Sequence, residues 1–217
     1  MNNCKLDYEI CELIGAIIGD GHIEKKSKRC HYTIQISGDK RHDKEYLMNY
    51  LSQIINKNFP KSNIKFSYRK NKNAIYLTIN NKYMYYYLVN NFNLIQGPKT
   101  FTVRIPDNII KSDKNLINAT IRGIFDTDGC FFLDKRKIYK YPYPRITLSI
   151  CSEPLFMQLS KYLSESFKIY NGKRKNKDIY YIEIYGHKQI EKWMKEIGFS
   201  NPRHKNKIER YILSKNL

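Results

Sequence analysis

The sequence has no long apolar run. No stretch approaches the ~20 residues that a membrane-spanning helix needs. The N-terminus, MNNCKLDYEICELIG, has neither the basic start nor the apolar centre of a secretory signal. No strongly basic amphipathic helix stands alone as a surface anchor, so no membrane partner is expected. Cysteines are few, odd in number and widely spaced: Cys4, Cys11, Cys30, Cys130 and Cys151, with no C-x-x-C pair. That pattern disfavours a zinc site or a disulfide framework and fits a reducing, intracellular compartment, cytoplasmic or organellar. Alanine is scarce while Asn, Lys, Ile and Tyr abound, which reads as a nucleotide-composition bias of the source. Acidic residues are the scarce charge, 20 against 39 Lys plus Arg.

What is present bounds the rest. With 217 residues, 41% hydrophobic and 27% charged, the chain can bury a core, as one large domain or two of about 100 residues. A net charge of +19 favours a polyanionic partner, and nucleic acid in particular. The basic residues run along the whole chain, as a long footprint requires.

The chain reads as two halves. LIGAIIGDG (13–21) and IRGIFDTDG (121–129) lie 108 residues apart. YTIQISGDKRHDKEYLMNYL (32–51) resembles RITLSICSEPLFMQLSKYL (145–163), and AIYLTINNKYMYYYLVNNFNLIQGPK (74–99) resembles IYYIEIYGHKQIEKWMKEIGFSNPR (179–203). Each half predicts helix, two strands, helix, two strands, helix, an α+β order with antiparallel sheets. The first half is placed at 1–106, a linker at about 107–115, and the second half at 116–217. The strands alternate cleanly: Ile64, Phe66 and Tyr68 oppose Lys65, Ser67 and Arg69; Tyr32, Ile34 and Ile36 oppose Thr33, Gln35 and Ser37; Ile146, Leu148 and Ile150 oppose Arg145, Thr147 and Ser149; Tyr180, Ile182 and Ile184 oppose Tyr181, Glu183 and Tyr185. One face of each sheet is apolar and one wet. Alternation alone fits an ordinary solvated face. The net charge turns the preference toward side chains that bond base edges and phosphates.

The repeated stretch is chemically odd. Gly15 and Gly19, and Gly123 and Thr127, are spaced i, i+4, so small residues share one helix face and admit a partner backbone. Gly costs ~1 kcal/mol in a helix interior relative to Ala, so close packing must offset it. Gly21 and Gly129 suit a left-handed residue just past a helix end. Asp20 and Asp128 are the anomaly, because a carboxylate at a helix C-terminus opposes the helix dipole. If the two helices pack side by side in the same sense, these carboxylates meet. A hard divalent cation, taking carboxylate oxygens, the Gly19 and Thr127 carbonyls, water and substrate phosphate, relieves both problems. One Asp-Gly is weak evidence, since turns are full of them. Two at domain spacing in matched helices are strong, because the same local rule is broken twice.

At these residues the sequence resembles the LAGLIDADG homing endonucleases. Gly15, Asp20 and Gly21 match in the first copy, and Gly123, Asp126, Asp128 and Gly129 in the second. The first copy departs at the sixth position, Ile18, which is not the metal ligand in that family. GPKTFTVRIP (97–106) and IGFSNPRHKNK (197–207) look like the family's exit segments, so the resemblance spans essentially the whole chain. It implies two pseudo-symmetric αββαββα halves, antiparallel sheets forming a DNA-binding saddle, and motif helices packed at the interface. It also implies a monomer that cuts a long asymmetric double-stranded DNA target across the minor groove, leaving 3′ overhangs. The implied cofactor is Mg²⁺, with Mn²⁺ or Ca²⁺ as in vitro substitutes, held by Asp20 and Asp128. Lys99 is the candidate assisting cation of the first half, and Arg203, with Lys205 as its alternative, that of the second; Gln35 and Asp39 are weaker candidates. The wet-face residues above become the DNA-contact set: Thr33, Gln35, Ser37, Lys65, Ser67, Arg69, Arg145, Thr147, Ser149, Tyr181 and Glu183, with Tyr76, Thr78 and Lys168 added.

His22, His31, His42, His187 and His204 show no metal-ligand spacing and no ββα grouping of the HNH type. No Ser-His-Asp or Cys-His arrangement is evident, and metal-assisted hydrolysis needs none. The rival readings are an RNA maturase on the same scaffold, with intron RNA as partner, and a non-catalytic transcription regulator, which two retained aspartates disfavour. The chain begins just before its first motif and shows no protein-splicing blocks, so an intron-encoded or free-standing product is expected.

Overall fold

The computed structural model describes residues 7–26, 31–139 and 142–213; Cys4 and Cys30 lie outside them. The first half runs α1 (Tyr8–Ile18), β1 (Gly21–Lys26), β2 (His31–Asp39), a π-helical turn (Tyr46–Leu51) leading into α2 (Ser52–Asn58), β3 (Asn63–Tyr68), β4 (Ala74–Asn80) and α3 (Lys82–Phe92). A short helix, α4 (Asp107–Ile110), precedes the second half: α5 (Lys114–Thr127), β5 (Gly129–Asp134), β6 (Tyr143–Ile150), α6 (Glu153–Ser164), β7 (Ile169–Lys173), β8 (Tyr180–Tyr185) and α7 (His187–Glu196). A last helix, α8 (Pro202–Leu213), has no counterpart in the first half. The sheets are ordered β1-β2-β4-β3 and β5-β6-β8-β7, all antiparallel. The expected αββαββα repeat is therefore present twice.

Period-two alternation fixes the sheet faces. Ile34, Ile36, Ile75, Leu77 and Ile79 are fully buried against the helices of the first half, and Ile146, Leu148, Ile182 and Ile184 are buried in the second, which is centred on Trp193. Each chain entry is capped by an acid. Asp7 accepts from the Ile10 N–H at 2.9 Å, and Asp113 from the Asn115 and Leu116 N–H groups at 2.8 and 3.2 Å. A carboxylate there satisfies donors that the helix leaves unpaired.

The two motif helices, α1 and α5, form the seam between the halves. A methyl on Gly15 would lie 2.1 Å from the Thr120 carbonyl oxygen, and one on Gly123 2.1 Å from the Glu12 carbonyl oxygen. Both glycines are thus required by backbone-to-backbone contact, not by φ. Farther down, a methyl on Gly19 would meet the Thr127 hydroxyl oxygen at 2.1 Å. Contacts advance in the same direction on both helices, so they run in the same sense. Gly21 and Gly129 depart from the expectation. Neither adopts positive φ, unlike Gly97, Gly186 and Gly198. They open β1 and β5, and a methyl on either would lie 2.5 Å from the motif helix it follows, against the Ile17 and Phe125 backbones. Glycine is needed there because the strand leaves back across the helix end.

The halves also clasp each other reciprocally. Asp43 and Ser152 each lie near the start of the helix that follows, where their carbonyls accept the Leu47 and Phe156 N–H groups, both at 3.0 Å. Ser152 donates to the Val103 carbonyl at 2.5 Å, and Gln158 bonds Ile105 N–H and C=O at 2.8 and 3.0 Å. The first-half exit segment is thereby pinned to α6. In mirror fashion, Asp43 accepts from the Asn201 side chain at 2.9 Å, and the Ser200 hydroxyl meets the Tyr50 hydroxyl at 3.1 Å.

Candidate active site and nucleic-acid interface

Because α1 and α5 run together, their C-termini deliver Asp20 and Asp128 to one open cleft, which Ser37, Lys99 and Ser149 also line. The Asp128 carboxylate lies 3.3 Å from where a Gly19 methyl would stand, so only a residue without a side chain lets the two helix ends close up. Both aspartates are held above the usual carboxylate range. For each the first cause is crowding by protein, and Lys99 and Arg203 oppose it. Asp20 pushes Asp128 up, and Asp43 pushes Asp20 up. Asp128 nevertheless stays exposed at the cleft mouth. Two like charges on helix C-termini form a site that a bound cation would stabilise.

Each helix end also receives one cation. The Lys99 ammonium donates to the Ile18 and Gly19 carbonyls. Arg203 Nη2 donates to the Asp126, Thr127 and Gly129 carbonyls at 3.4, 3.3 and 3.5 Å. Ile18 and Gly19 are the repeat equivalents of Asp126 and Thr127, so Lys99 and Arg203 hold matching positions. Burial holds the Lys99 ammonium below its ordinary range, and Asp128 and Asp20 pull it back up. The Gly19 and Thr127 carbonyls, expected to join a metal, already accept from these cations; each keeps a second lone pair. Lys205 is exposed on α8, and Arg203 is the second-half cation that lowers both aspartates.

Asp126, the other acid of the second motif, is not in the cleft. It is fully buried and accepts the Ser200 and Asn201 N–H groups at 2.9 and 3.0 Å. Burial holds its carboxyl well above the normal range, Glu12 adds to this, and the two N–H groups oppose it. It anchors the turn that carries Arg203. Asn201 extends that anchor, donating to the Asp126 carbonyl at 3.0 Å and accepting from the Arg203 N–H at 3.0 Å.

Glu12, Asp43 and Asn201 carry no local sequence signal of their roles. Glu12 is fully buried and pairs with Arg122 across the helix seam at 2.7 Å, with the Tyr50 hydroxyl donating at 3.0 Å. These contacts join residues 38 to 160 positions apart, and no local spacing signals them. An acid inside the apolar face of α1 was the one available hint. Asp39, a weaker candidate, is taken by Arg41 at 2.7 Å. His204 is buried with its ring nitrogens facing the Phe131 N–H and Arg203; burial first, then the neighbouring Arg203, holds its imidazole down at about 3.

The wet sheet faces flank the cleft. In the first sheet, Thr33 donates to Asn80 at 2.9 Å and Gln35 to Thr78 at 3.0 Å. Ser37 donates to the Asp20 carbonyl at 3.1 Å. Register sets His22, Gln35, Thr78 and Lys65 in one row, and Ser37, Tyr76 and Ser67 in the next. Lys65, Ser67 and Arg69 are exposed. In the second sheet, Cys130, Thr147, Glu183 and Tyr170 form one row and Ser149 and Tyr181 stand in the next. Arg145 is the departure. Its guanidinium pairs with Asp134 at 3.0 Å and Glu183 at 3.2 Å, and lies 4.9 Å over the Tyr185 ring. Arg145 and Glu183 are therefore neutralised within the sheet. Ser149 accepts from Arg174 at 3.2 Å, and exposed Lys168 lies 5.8 Å over Tyr170. No described helix is long and apolar enough to cross a membrane.

Residues 115–198 match the family described as "LAGLIDADG-like domain". The fold is similar to that of I-DmoI in complex with DNA and Mn, with a TM-score of 0.64 and 20% identity, over 90% of this chain and 99% of that one. It is also similar to the I-LtrWI LAGLIDADG homing endonuclease bound to target DNA, with a TM-score of 0.61 and 12% identity, over 96% of this chain and 90% of that one. The chain is a two-repeat, single-chain protein of the LAGLIDADG fold. Among curated proteins it is 26% identical, over 99% of its length, to part of the replication factor C small subunit of Methanocaldococcus jannaschii. It spans between 11% and 22% of the curated relatives it matches.

Proposed function

We propose that the protein is a divalent-cation-dependent, site-specific endonuclease that makes a staggered break with 3′ overhangs in double-stranded DNA. The observation that carries this reading is the delivery of Asp20 and Asp128, by two helices in backbone contact, to one cleft between two polar sheet faces. Asp20 and Asp128 are the candidate metal ligands, with the Gly19 and Thr127 carbonyls beside them. Among the described residues no three acids, histidines or cysteines cluster, so a hard cation here completes its shell with water and phosphate, as Mg²⁺ prefers. When bound, Mg²⁺ supplies an acidified water and charge stabilisation at the phosphate.

The chain's own residues do the rest. Lys99 and Arg203 place positive charge beside each helix end, where charge develops on a phosphate under attack. Their grip on the helix-end carbonyls holds them in position before substrate arrives. The candidate DNA contacts on the first sheet are Thr33, Gln35, Ser37, Lys65, Ser67, Arg69, Tyr76 and Thr78. On the second sheet they are Thr147, Ser149, Lys168 and Tyr181, with Arg145 and Glu183 acting as a pair. The protein works as a monomer on a long asymmetric site, because the two sheets differ residue by residue.

The test is cleavage of a plasmid library carrying random inserts, with Mg²⁺ and with EDTA. Recovery of one linearised insert family, cut only with the divalent ion, supports the reading. Cutting in EDTA, or cutting without sequence preference, overturns it. RNA splicing without DNA cutting would favour the maturase.

A further inference from the structure

The two exit segments dock on opposite halves near the start of a helix, one at Ser152 and the other at Asp43. Docking at Ser152 involves no charge. The serine hydroxyl pins Val103 with one neutral bond, and Ser152 is 1% exposed. Asp43 is also buried, at 7% exposure, and burying a carboxylate costs far more than burying a hydroxyl unless it is paired. Its pairing is specific. One oxygen takes the Asn201 amide at 2.9 Å. The other takes the Asp39 N–H at 2.8 Å and Arg203 Nη1 at 3.2 Å. Arg203 is thereby held on every side, with Nη1 on Asp43, Nη2 on three helix-end carbonyls and Nε 3.2 Å from His204 Nε2. Lys99, its equivalent, rests on two carbonyls through one ammonium.

We propose that Asp43 is a positioning residue that fixes the Arg203 guanidinium across the interface between the halves, and so makes the two cutting centres unequal. A bidentate-capable, planar cation gains from such orientation more than an ammonium does. The inference rests on the endonuclease reading above.

The experiment uses the insert recovered from the library, as a duplex labelled on either strand, and measures the two nicking rates. Arg203→Ala first identifies the strand that depends on Arg203. Asp43→Asn and Asp43→Ser should then slow that strand by about a hundredfold, the scale of a misplaced catalytic group, and leave the other within about twofold. Added to Arg203→Ala, Asp43→Asn should leave the ratio of rates unchanged. The ratio is independent of how much protein folds, since the same molecules cut both strands. Equal slowing of both strands, an unchanged ratio in the single variants, or a further change in the double variant overturns the inference. Failure of the wild-type protein to cut any insert overturns the endonuclease reading instead.

Discussion

The two halves share strand order, motif-helix register and a cation folded onto each motif-helix end, but they hold that cation differently. In the first half, residue 18 is isoleucine, the exit segment is tied by Gly97 N–H to the Ile23 carbonyl at 2.9 Å, and Lys99 carries the charge. In the second half, the equivalent residue is Asp126, its carboxylate grips two backbone N–H groups, and Arg203 is set in a cage of carbonyls and one carboxylate. The wet faces diverge too. The first offers hydroxyls, amides and exposed Lys65 and Arg69, while the second offers stacked tyrosines, with Tyr170 and Tyr185 centroids 4.1 Å apart, around a neutralised Arg145. A duplicated scaffold has kept the carboxylates that meet at its axis. It has let the supporting residues drift wherever one strong anchor could replace another.

The largest expected effect tests what the halves still share. Asp20→Asn or Asp128→Asn removes a charged oxygen donor and leaves both sheets intact. Each should lower double-strand cleavage by about a hundredfold to a thousandfold, on the scale of losing a central charge-stabilising group. Retention of DNA by gel shift should stay near wild type. A variant that linearises plasmid at the wild-type rate would remove that aspartate from the site.

Next comes the anchor found only in the second half. Asp126→Ala leaves the Ser200 and Asn201 N–H groups buried without acceptors. Such vacancies cost about 1–3 kcal/mol each, so a loss of about 2–6 kcal/mol in urea denaturation is expected. Ile18→Ala in the first half should lose stability through cavity formation alone, about 2–5 kcal/mol. The two are separated by nicking: only Asp126→Ala should also shift the strand ratio, because only it frees the turn that carries Arg203.

These contrasts mark what was legible in the sequence. The fold, the seam and the meeting of Asp20 with Asp128 followed from repetition, since a residue type broken out of pattern twice at one spacing is a local signal. The equivalence of Lys99 and Arg203 followed from the same alignment of halves. Gly21 and Gly129 read as left-handed helix ends but open strands: Asp-Gly after a helix has two explanations, a left-handed turn and a close strand crossing, and only the backbone distinguishes them. Asp126 matches the motif at a position that is not the metal ligand, and only the structure shows its carboxylate anchoring the turn that carries Arg203. Asp43 sits in an ordinary polar turn, and its partners lie 158 and 160 residues away, beyond any window over which spacing carries information.

His204 gives a smaller, pH-dependent difference between the halves, since the exposed Thr100 follows Lys99 where buried His204 follows Arg203. The imidazole titrates near 6.5 when unfolded and is held at about 3 in the fold. The unfolded chain therefore binds the extra proton between those values, and stability present above pH 6.5 is lost as pH falls. The slope approaches about 1.4 kcal/mol per pH unit for one such group. His204→Gln can still accept the Phe131 N–H bond, now 3.4 Å long, but cannot titrate. Denaturation at pH 6.5 and pH 5 should show the wild type losing about 1–2 kcal/mol more than the variant; equal losses would mean the ring is protonated in place.

The smallest effect concerns the two sheet faces. A cation that neutralises a phosphate releases counterion, and each such contact adds about 0.9 to the slope of log affinity against log salt. Exposed Lys65 and Arg69 are placed to do this, whereas Arg145 already faces Asp134 and Glu183. Lys65→Ala or Arg69→Ala should lower the slope by about one unit each, and Arg145→Ala by clearly less, with its loss of affinity persisting at high salt. An equal drop for all three would mean that Arg145 leaves its carboxylates for the DNA backbone, and that the contrast between the sheets disappears on binding.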